Sequence, residues 1–337
     1  MFYTVSMQTM PTPSDDDSTL QLKVPLFVWI FSLVLLIAVA VIVVTNLEQA
    51  AQTLVLLRQS QPIWLCVALI LQILTYVCAG GIWYQVALQA GYRPSITSLA
   101  SLAIETLSVN QIIPVVGIAG NVVVVRAMKR MGLPYALAME AILVEIISQF
   151  IAYALLGMLT LFVLSLYHDI TPVILWVVSI FSLMMLFGLW VVFRLLGYRE
   201  RKVKGWLWNF GFMKDIENMV SHVSPERVQS PALLLKTSAL YAAIFLLDGA
   251  TLWATLHAVD LSINPLFALA ALVIASMAGT ISLLPGSLGS FEAASAALLV
   301  LLGASLEGAV ASTLLLRAFS FWLPLMPGLL LARRDMR

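Results

Sequence analysis

Charge is what this chain lacks. Of its 337 residues 10% are Asp, Glu, Lys or Arg, against 61% hydrophobic, and the mean hydropathy is +1.00. A soluble domain carries roughly a quarter charged residues, so a chain this poor in charge cannot cover a surface that faces water. An integral membrane protein is the expectation. Cysteine is equally scarce: Cys66 and Cys78 fall in one apolar run and supply neither a disulfide framework nor a metal-ligand cluster. No basic patch with interleaved aromatics is present, which excludes nucleic acid as a partner. There is also no nucleotide loop, no metal-ligand constellation and no nucleophile with a plausible histidine partner. No enzyme activity, no cofactor and no metal are therefore expected. The formal net charge of +1 decides nothing about partners, because in a membrane protein the placement of charge matters more than its sum.

What is present is long apolar runs. A span needs about 20 apolar residues, each rising about 1.5 Å, to cross roughly 30 Å of hydrocarbon. Six stretches satisfy this: Pro25 to Val44, Pro62 to Leu88, Tyr135 to Leu164, Pro172 to Leu196, Pro231 to His257 and Gly308 to Leu331. The acidic, proline-bearing start over residues 1–24 lacks the basic residues and small-residue cleavage site of a signal peptide. It reads as a disordered cytoplasmic tail, followed by a single polytopic membrane domain over 25–337.

Two further apolar regions are interrupted, "SITSLASLAIETLSVNQIIPVVGIAGNVVVVRAMKR" and "LFALAALVIASMAGTISLLPGSLGSFEAASAALLVLLG". Neither half of either region is comfortably long enough to cross alone, so each is expected to form a re-entrant hairpin or a discontinuous span. Lysine and arginine set the orientation. They crowd the loop of about 197–230 (Arg199, Arg201, Lys202, Lys204, Lys214, Arg227), "MKRMG" and the C-terminal end, all of which belong in the cytoplasm. Both termini are then inside, and the two hairpins enter from opposite faces.

An internal repeat underlies this order. Sliding the second hairpin onto the first places Pro285 on Pro114 (285 − 114 = 171) and, at the same offset, Gly303 on Gly132 and Phe321 on Phe150. Repeat one covers about 62–165 and repeat two about 231–331. Three full spans separate the start of one copy from the start of the next, and an odd number inverts the second copy. The expected fold class is therefore an all-α membrane protein of about six full helices and two hairpins arranged as an inverted repeat.

Charges at bilayer depth cost a few kcal/mol each by insertion scales, so they are paired or functional. Glu145 and Arg317 fall near mid-depth of their spans, and Glu292 lies on the second limb of the outer hairpin, with Asn121 as its counterpart on the inner one. These suggest a midplane cluster of Glu145, Glu292 and Arg317, with Asn110, Asn121, Arg126 and Asp248 as outer members. Structural ion pairs knitting hairpins to spans remain an equal alternative. Glu140 and Glu105 are read as lying near water. In the turns, Pro114 and Pro285 remove a backbone donor, and Gly117, Gly120, Gly286 and Gly289 allow tight reversals. A limb starting there would aim a positive helix N-terminus into the membrane, where it suits an anionic group; a simple kink is the alternative.

"LLPGSLGSFE" followed by "LLG" and "LLLRAFSFWLP", with "NQIIPVVGIAGNVVVVRAMKRMGLP" in the first half, resembles the flippase-like membrane domain of lysylphosphatidylglycerol synthetases. The resemblance runs from about Pro62 onward. It implies movement of a polar-headed, anionic or lipid-linked lipid across a prokaryotic cytoplasmic membrane. It carries the family motif onto Pro285, Gly286, Gly289, Glu292 and Arg317, and onto Asn110, Pro114 and Arg126. "PVVGIAG" departs from the adjacent glycines often found in the family. The chain ends at Arg337 with no soluble synthetase domain, so the aminoacyl-transfer activity is not carried over. A membrane lipid is the expected partner, with a homo-oligomer or a membrane enzyme as further ones. In the alternative function, an accessory subunit of a glycosyltransferase or lipid-modifying enzyme, the aromatics Trp206, Trp208, Phe210 and Phe212 would form its docking surface.

Overall fold

Helices make up all the regular structure in the computed structural model of the chain, which describes residues 47–112, 118–167, 172–197, 223–282 and 285–335. The expected tail, the span from Pro25 to Val44, the turn at Pro114 and the aromatic part of the cytoplasmic loop lie outside the described residues. In chain order the helices are α1 (Leu47–Arg58), α2 (Pro62–Gln89), α3 (Ile96–Ile112), α4 (Ile118–Arg130), α5 (Tyr135–Tyr167) and α6 (Pro172–Gly197). They continue as α7 (Pro225–Val228), α8 (Pro231–Ala258), α9 (Pro265–Ser282), α10 (Ser290–Leu301), α11 (Leu306–Arg317) and α12 (Leu323–Asp335). Proline opens α2 and α8 at the first turn, where its missing N–H would have had no helical partner.

Among the described residues six segments are long and apolar enough to cross a membrane: Pro62–Gln89, Tyr135–Tyr167, Ile174–Gly197, Pro231–Ala258, Pro265–Ser282 and Leu306–Gly328. The fifth corrects the sequence reading, which took both limbs of the outer hairpin as too short. α9 has 18 residues, and at 1.5 Å per residue it rises about 27 Å, close to the hydrocarbon thickness. Its partner limb α10 has only 12 residues. The last span is also not one regular helix: a π-helical stretch, Ala318–Trp322, joins α11 to α12, just ahead of Pro324 and Pro327. Proline at 324 has no N–H to continue the ladder, and a local π-turn is a known way to absorb such a break.

The boundaries of the helices recur at a nearly fixed interval. α2 and α8 both have 28 residues and are offset by 169 at each end (231 − 62 and 258 − 89). The starts of α3 and α9 differ by 169 (265 − 96), and those of α5 and α11 by 171 (306 − 135). Even the caps match. Gly91 and Asp260, 169 apart, both take positive φ (86° and 60°), as do Gly132 and Gly303, 171 apart (77° and 97°). Beyond them the same closing hydrogen bond forms, Tyr92 N–H to the Ala87 carbonyl and Leu261 N–H to the Leu256 carbonyl, each 2.9 Å.

α2 and α8 make the most extensive helix pair and run antiparallel. Gln61 at the start of one donates its N–H to the Ala258 carbonyl at the end of the other (2.9 Å), Gln72 meets Asp248 midway, and Gly81 faces Leu240. Around this pair the packing alternates: α3 lies against α2 and α12, while α9 lies against α8 and α5. Buried side chains form two clusters, one around Trp83, Leu99, Met128 and Ile142, the other around Leu252, Leu256, Met277 and Leu299.

Glu140 departs from its expected place near water. It is 1% exposed, and its Oε1 accepts the Ser224 N–H at 2.9 Å and Arg227 Nη2 at 2.7 Å, fastening α7 to α5. Glu105 is buried too. The partners differ in exposure: the Arg227 side chain is 42% exposed, so losing its partner leaves a cation water can still reach, whereas losing Arg227 strands a buried carboxylate. Arg227→Ala is expected to lower unfolding stability by about 1 kcal/mol more than Glu140→Gln. Thermal unfolding in detergent checks the order, and the reverse ranking would show that Glu140 reaches solvent.

Candidate functional site

Two polar groupings lie among the helices, and the structure separates residues the sequence had gathered into one. The first is built on the turn between α9 and α10. Gly286, Ser287 and Gly289 all have positive φ (59°, 56° and 85°), a run that only glycine adopts without cost. The turn delivers Glu292 to the third residue of α10, where its Oε2 accepts the Gly289 N–H at 2.7 Å and caps the helix. Its Oε1 accepts Nε of Arg317 at 2.5 Å. Arg317 also donates Nη2 to the Gly286 carbonyl at 2.6 Å, and its guanidinium lies over Phe291 (4.5 Å) and Phe321 (5.0 Å). The two limbs are further joined by Ser282 Oγ and Ser290 Oγ at 2.8 Å. Pro285 opens this turn. Glu292 already caps the helix N-terminus at which an anion is expected, and Arg317 ties the turn through Nε and Nη2.

The inner hairpin is closed in a comparable way. Asn110, near the end of α3, accepts the Gly120 N–H through Oδ1 at 2.9 Å and so caps the start of α4 across the break. Losing a cap of this kind costs about 1 kcal/mol. Asn110→Ala should therefore lower the unfolding midpoint measurably, and Asn110→Asp, which keeps the acceptor, should recover most of the loss. Equal losses in both variants would show that the amide nitrogen matters more than the cap. Asn121 and Arg126 lie on α4 and join neither grouping, Arg126 being exposed.

The second grouping is a cavity of about 430 Å³. Helices α2, α3 and α5 from the first half wall it together with α8 and Ser320 of the π-helical stretch from the second. Two carboxylates line it, Glu145 on α5 and Asp248 on α8. Glu145 Oε2 accepts from Trp83 Nε1 at 2.7 Å. Asp248 Oδ1 accepts from Gln72 Nε2 at 2.7 Å and, more weakly, from the Thr75 hydroxyl at 3.4 Å. Gln72, Thr75 and Tyr76 share one face of α2 because residues three and four apart on a helix are neighbours. Asn110 and Gln149 add amides to the wall.

Glu145 therefore belongs with Asp248, and Arg317 with Glu292. Sequence reasoning missed Gln72, Thr75, Tyr76 and Trp83; the signal was there, as three polar groups at helical spacing inside an otherwise apolar span. A third feature, an apolar groove of about 350 Å³ between α10 and α11, is lined mainly by Ala293, Ala296, Ala297 and Leu314, with Glu292 at its edge.

Residues 29–328 match the family model described as the lysylphosphatidylglycerol synthase TM region. The chain belongs to that family, and it is an all-α, multi-pass membrane protein. A search of curated proteins finds no match to it.

Proposed function

We propose that the protein moves a polar-headed lipid between the leaflets of a prokaryotic cytoplasmic membrane. The observation that carries this is the polar cavity walled by both halves of the chain. In it a headgroup would find amides, hydroxyls and carboxylates while its acyl chains stay in the surrounding lipid. The membrane family it belongs to supports the reading, as does the layout of the halves.

The equal lengths of α2 and α8, the matched caps and an offset of 169 to 171 speak for two copies of one unit, and the antiparallel packing of α2 on α8 speaks for their inversion. An inverted repeat provides alternate access by rocking one half against the other around a central site. The hairpins, closed by Asn110 in one half and by Glu292 with Arg317 in the other, act as stiff units in that motion. Positive charge at "MKRMG" and in the loop before α7 favours both termini on the cytoplasmic side.

Reconstitution in vesicles with headgroup-labelled lipids tests the proposal. The panel takes phosphatidylglycerol, phosphatidylethanolamine and lysylphosphatidylglycerol, the last because the family description names it. Transfer above that of protein-free vesicles for at least one lipid is the expected result. Rates equal to protein-free vesicles for all three would refute it.

A further inference from the structure

We infer that the cavity between the halves is a cation site, to which Glu145 and Asp248 supply the negative charge. The inference deepens the translocation reading and rests on it for its physiological meaning. Four observations converge. The two carboxylates face the same 430 Å³ space from different helices, and among the described residues lining that space there is no lysine, arginine or histidine. The donors that hold them are all neutral, Trp83 for Glu145, and Gln72 and Thr75 for Asp248. Each carboxylate uses one oxygen in these bonds, so Glu145 Oε1 and Asp248 Oδ2 keep acceptor capacity with no donor among the described residues. Finally, the hydroxyl oxygens of Tyr76 and Thr106, two more lining residues, are buried without a hydrogen-bond partner.

Among the described residues no side chain supplies the missing charge. Arg317 is engaged by Glu292 and the Gly286 carbonyl, and Arg126 lies exposed on α4. A carboxylate held in a low-dielectric space by neutral donors alone lacks a counter-charge, and a cation entering the cavity supplies it. The titratable groups facing the site are Glu145 from α5, Asp248 and Tyr241 from α8, and Tyr76 from α2; α3 and the π-helical stretch contribute only neutral amide and hydroxyl groups. The volume lies within the roughly 300–1,000 Å³ typical of small-molecule sites. It has room for an alkylammonium group as readily as for an alkali ion with part of its water.

The experiment uses the purified full chain in nanodiscs of zwitterionic lipid. Its thermal unfolding is followed as sodium, lithium, potassium or ethylammonium chloride replaces N-methyl-D-glucamine chloride at constant ionic strength. A saturable rise in the midpoint is expected from at least one of the small cations. A response to an alkali ion identifies the group as a free ion coupled to transport, and a response to ethylammonium alone identifies it as the nitrogen of a headgroup. Glu145→Gln and Asp248→Asn keep shape and neutral hydrogen bonding, and each should weaken the response about tenfold or more, the usual scale of one charge-assisted contact.

In the unmodified protein the effective cation should also protect Glu145 from an apolar carbodiimide, a readout that needs no variant to fold. No saturable response to any cation together with no protection, or responses in both variants unchanged from the unsubstituted protein, overturns the inference. Lipid transfer measured on the same preparation separates the two ideas. Transfer without cation binding removes the cation site alone, and cation binding without transfer removes the translocation reading alone.

Discussion

Replacing Arg317 by alanine should destabilise the protein by about 3 kcal/mol, the lower end of what breaking a buried ion pair costs. The lower end is appropriate because the side chains of Arg317 and Glu292 keep 11% and 22% of their exposure. The loss has three parts. The Glu292 carboxylate is left in the membrane with only the Gly289 N–H, the Gly286 carbonyl loses its donor, and Phe291 and Phe321 lose the cation between them. Lysine should not rescue, because a single ammonium cannot reproduce the directed Nε and Nη2 bonds of a planar fork. Removing both charges together, Arg317→Met with Glu292→Gln, should recover more than half of the loss, since the stranded carboxylate is then gone. Unfolding in detergent of Arg317→Met, Glu292→Gln and the double variant closes the cycle. Additive losses would mean that the two side chains act independently and that the turn is held by its backbone alone.

Gly80→Ala should cost nearly as much, for a reason of shape rather than charge. A Cβ at Gly80 would meet the backbone nitrogen of Ala100 at 2.6 Å and the carbonyl carbon of Leu99 at 2.7 Å. Neither atom can turn aside, so α2 and α3 must separate, and overpacking of this kind costs about 3 kcal/mol at the upper end of its usual range. The equivalent Gly249, on α8 against α9, gives a control. There the nearest atom is Leu269 Cδ1 at 2.9 Å, with Leu269 Cα at 3.2 Å. A leucine methyl can swing away, so Gly249→Ala should cost about 1 kcal/mol. Comparable midpoints for the two variants would show that the contact of α2 with α3 is loose.

These two positions also show how far the sequence reaches. The spacing between Gly80 and Gly249 (249 − 80 = 169) equals that between Ala100 and Leu269 (269 − 100 = 169), so the repeat seen in prolines and glycines extends to which residues touch. Helix starts at Pro62 and Pro231 and the stops at Gly132 and Gly303 were readable because those residues act on their own backbone. The partners of Glu145 were not. Counting residues along a span gives the height of a side chain but not the direction in which it points around the helix axis. Glu145 and Arg317 had comparable heights and were grouped together, yet Glu145 turns to Trp83 and Arg317 to Glu292. Asp248 appeared only as an outer member, because nothing in one sequence says that α2 and α8 run side by side. Glu140 escaped for the same reason: its partner Arg227 is 87 residues away, beyond the rest of α5 and all of α6.

The carboxylates of the cavity break the symmetry of the scaffold that holds them. At the offset of 169, Asp248 corresponds to Ala79 (248 − 169 = 79), which lines the same cavity, and at 171 Glu145 corresponds to Leu316 (145 + 171 = 316). Two identical halves exchanging roles would make the inward-open and outward-open forms equal in energy. Under the proposed rocking motion each acid would travel with one half only, so the two forms would place their negative charge in different surroundings. Every 1.4 kcal/mol of difference between those surroundings is a tenfold preference for one resting form. In the proposed cycle two residues would thus give an otherwise even scaffold a preferred side.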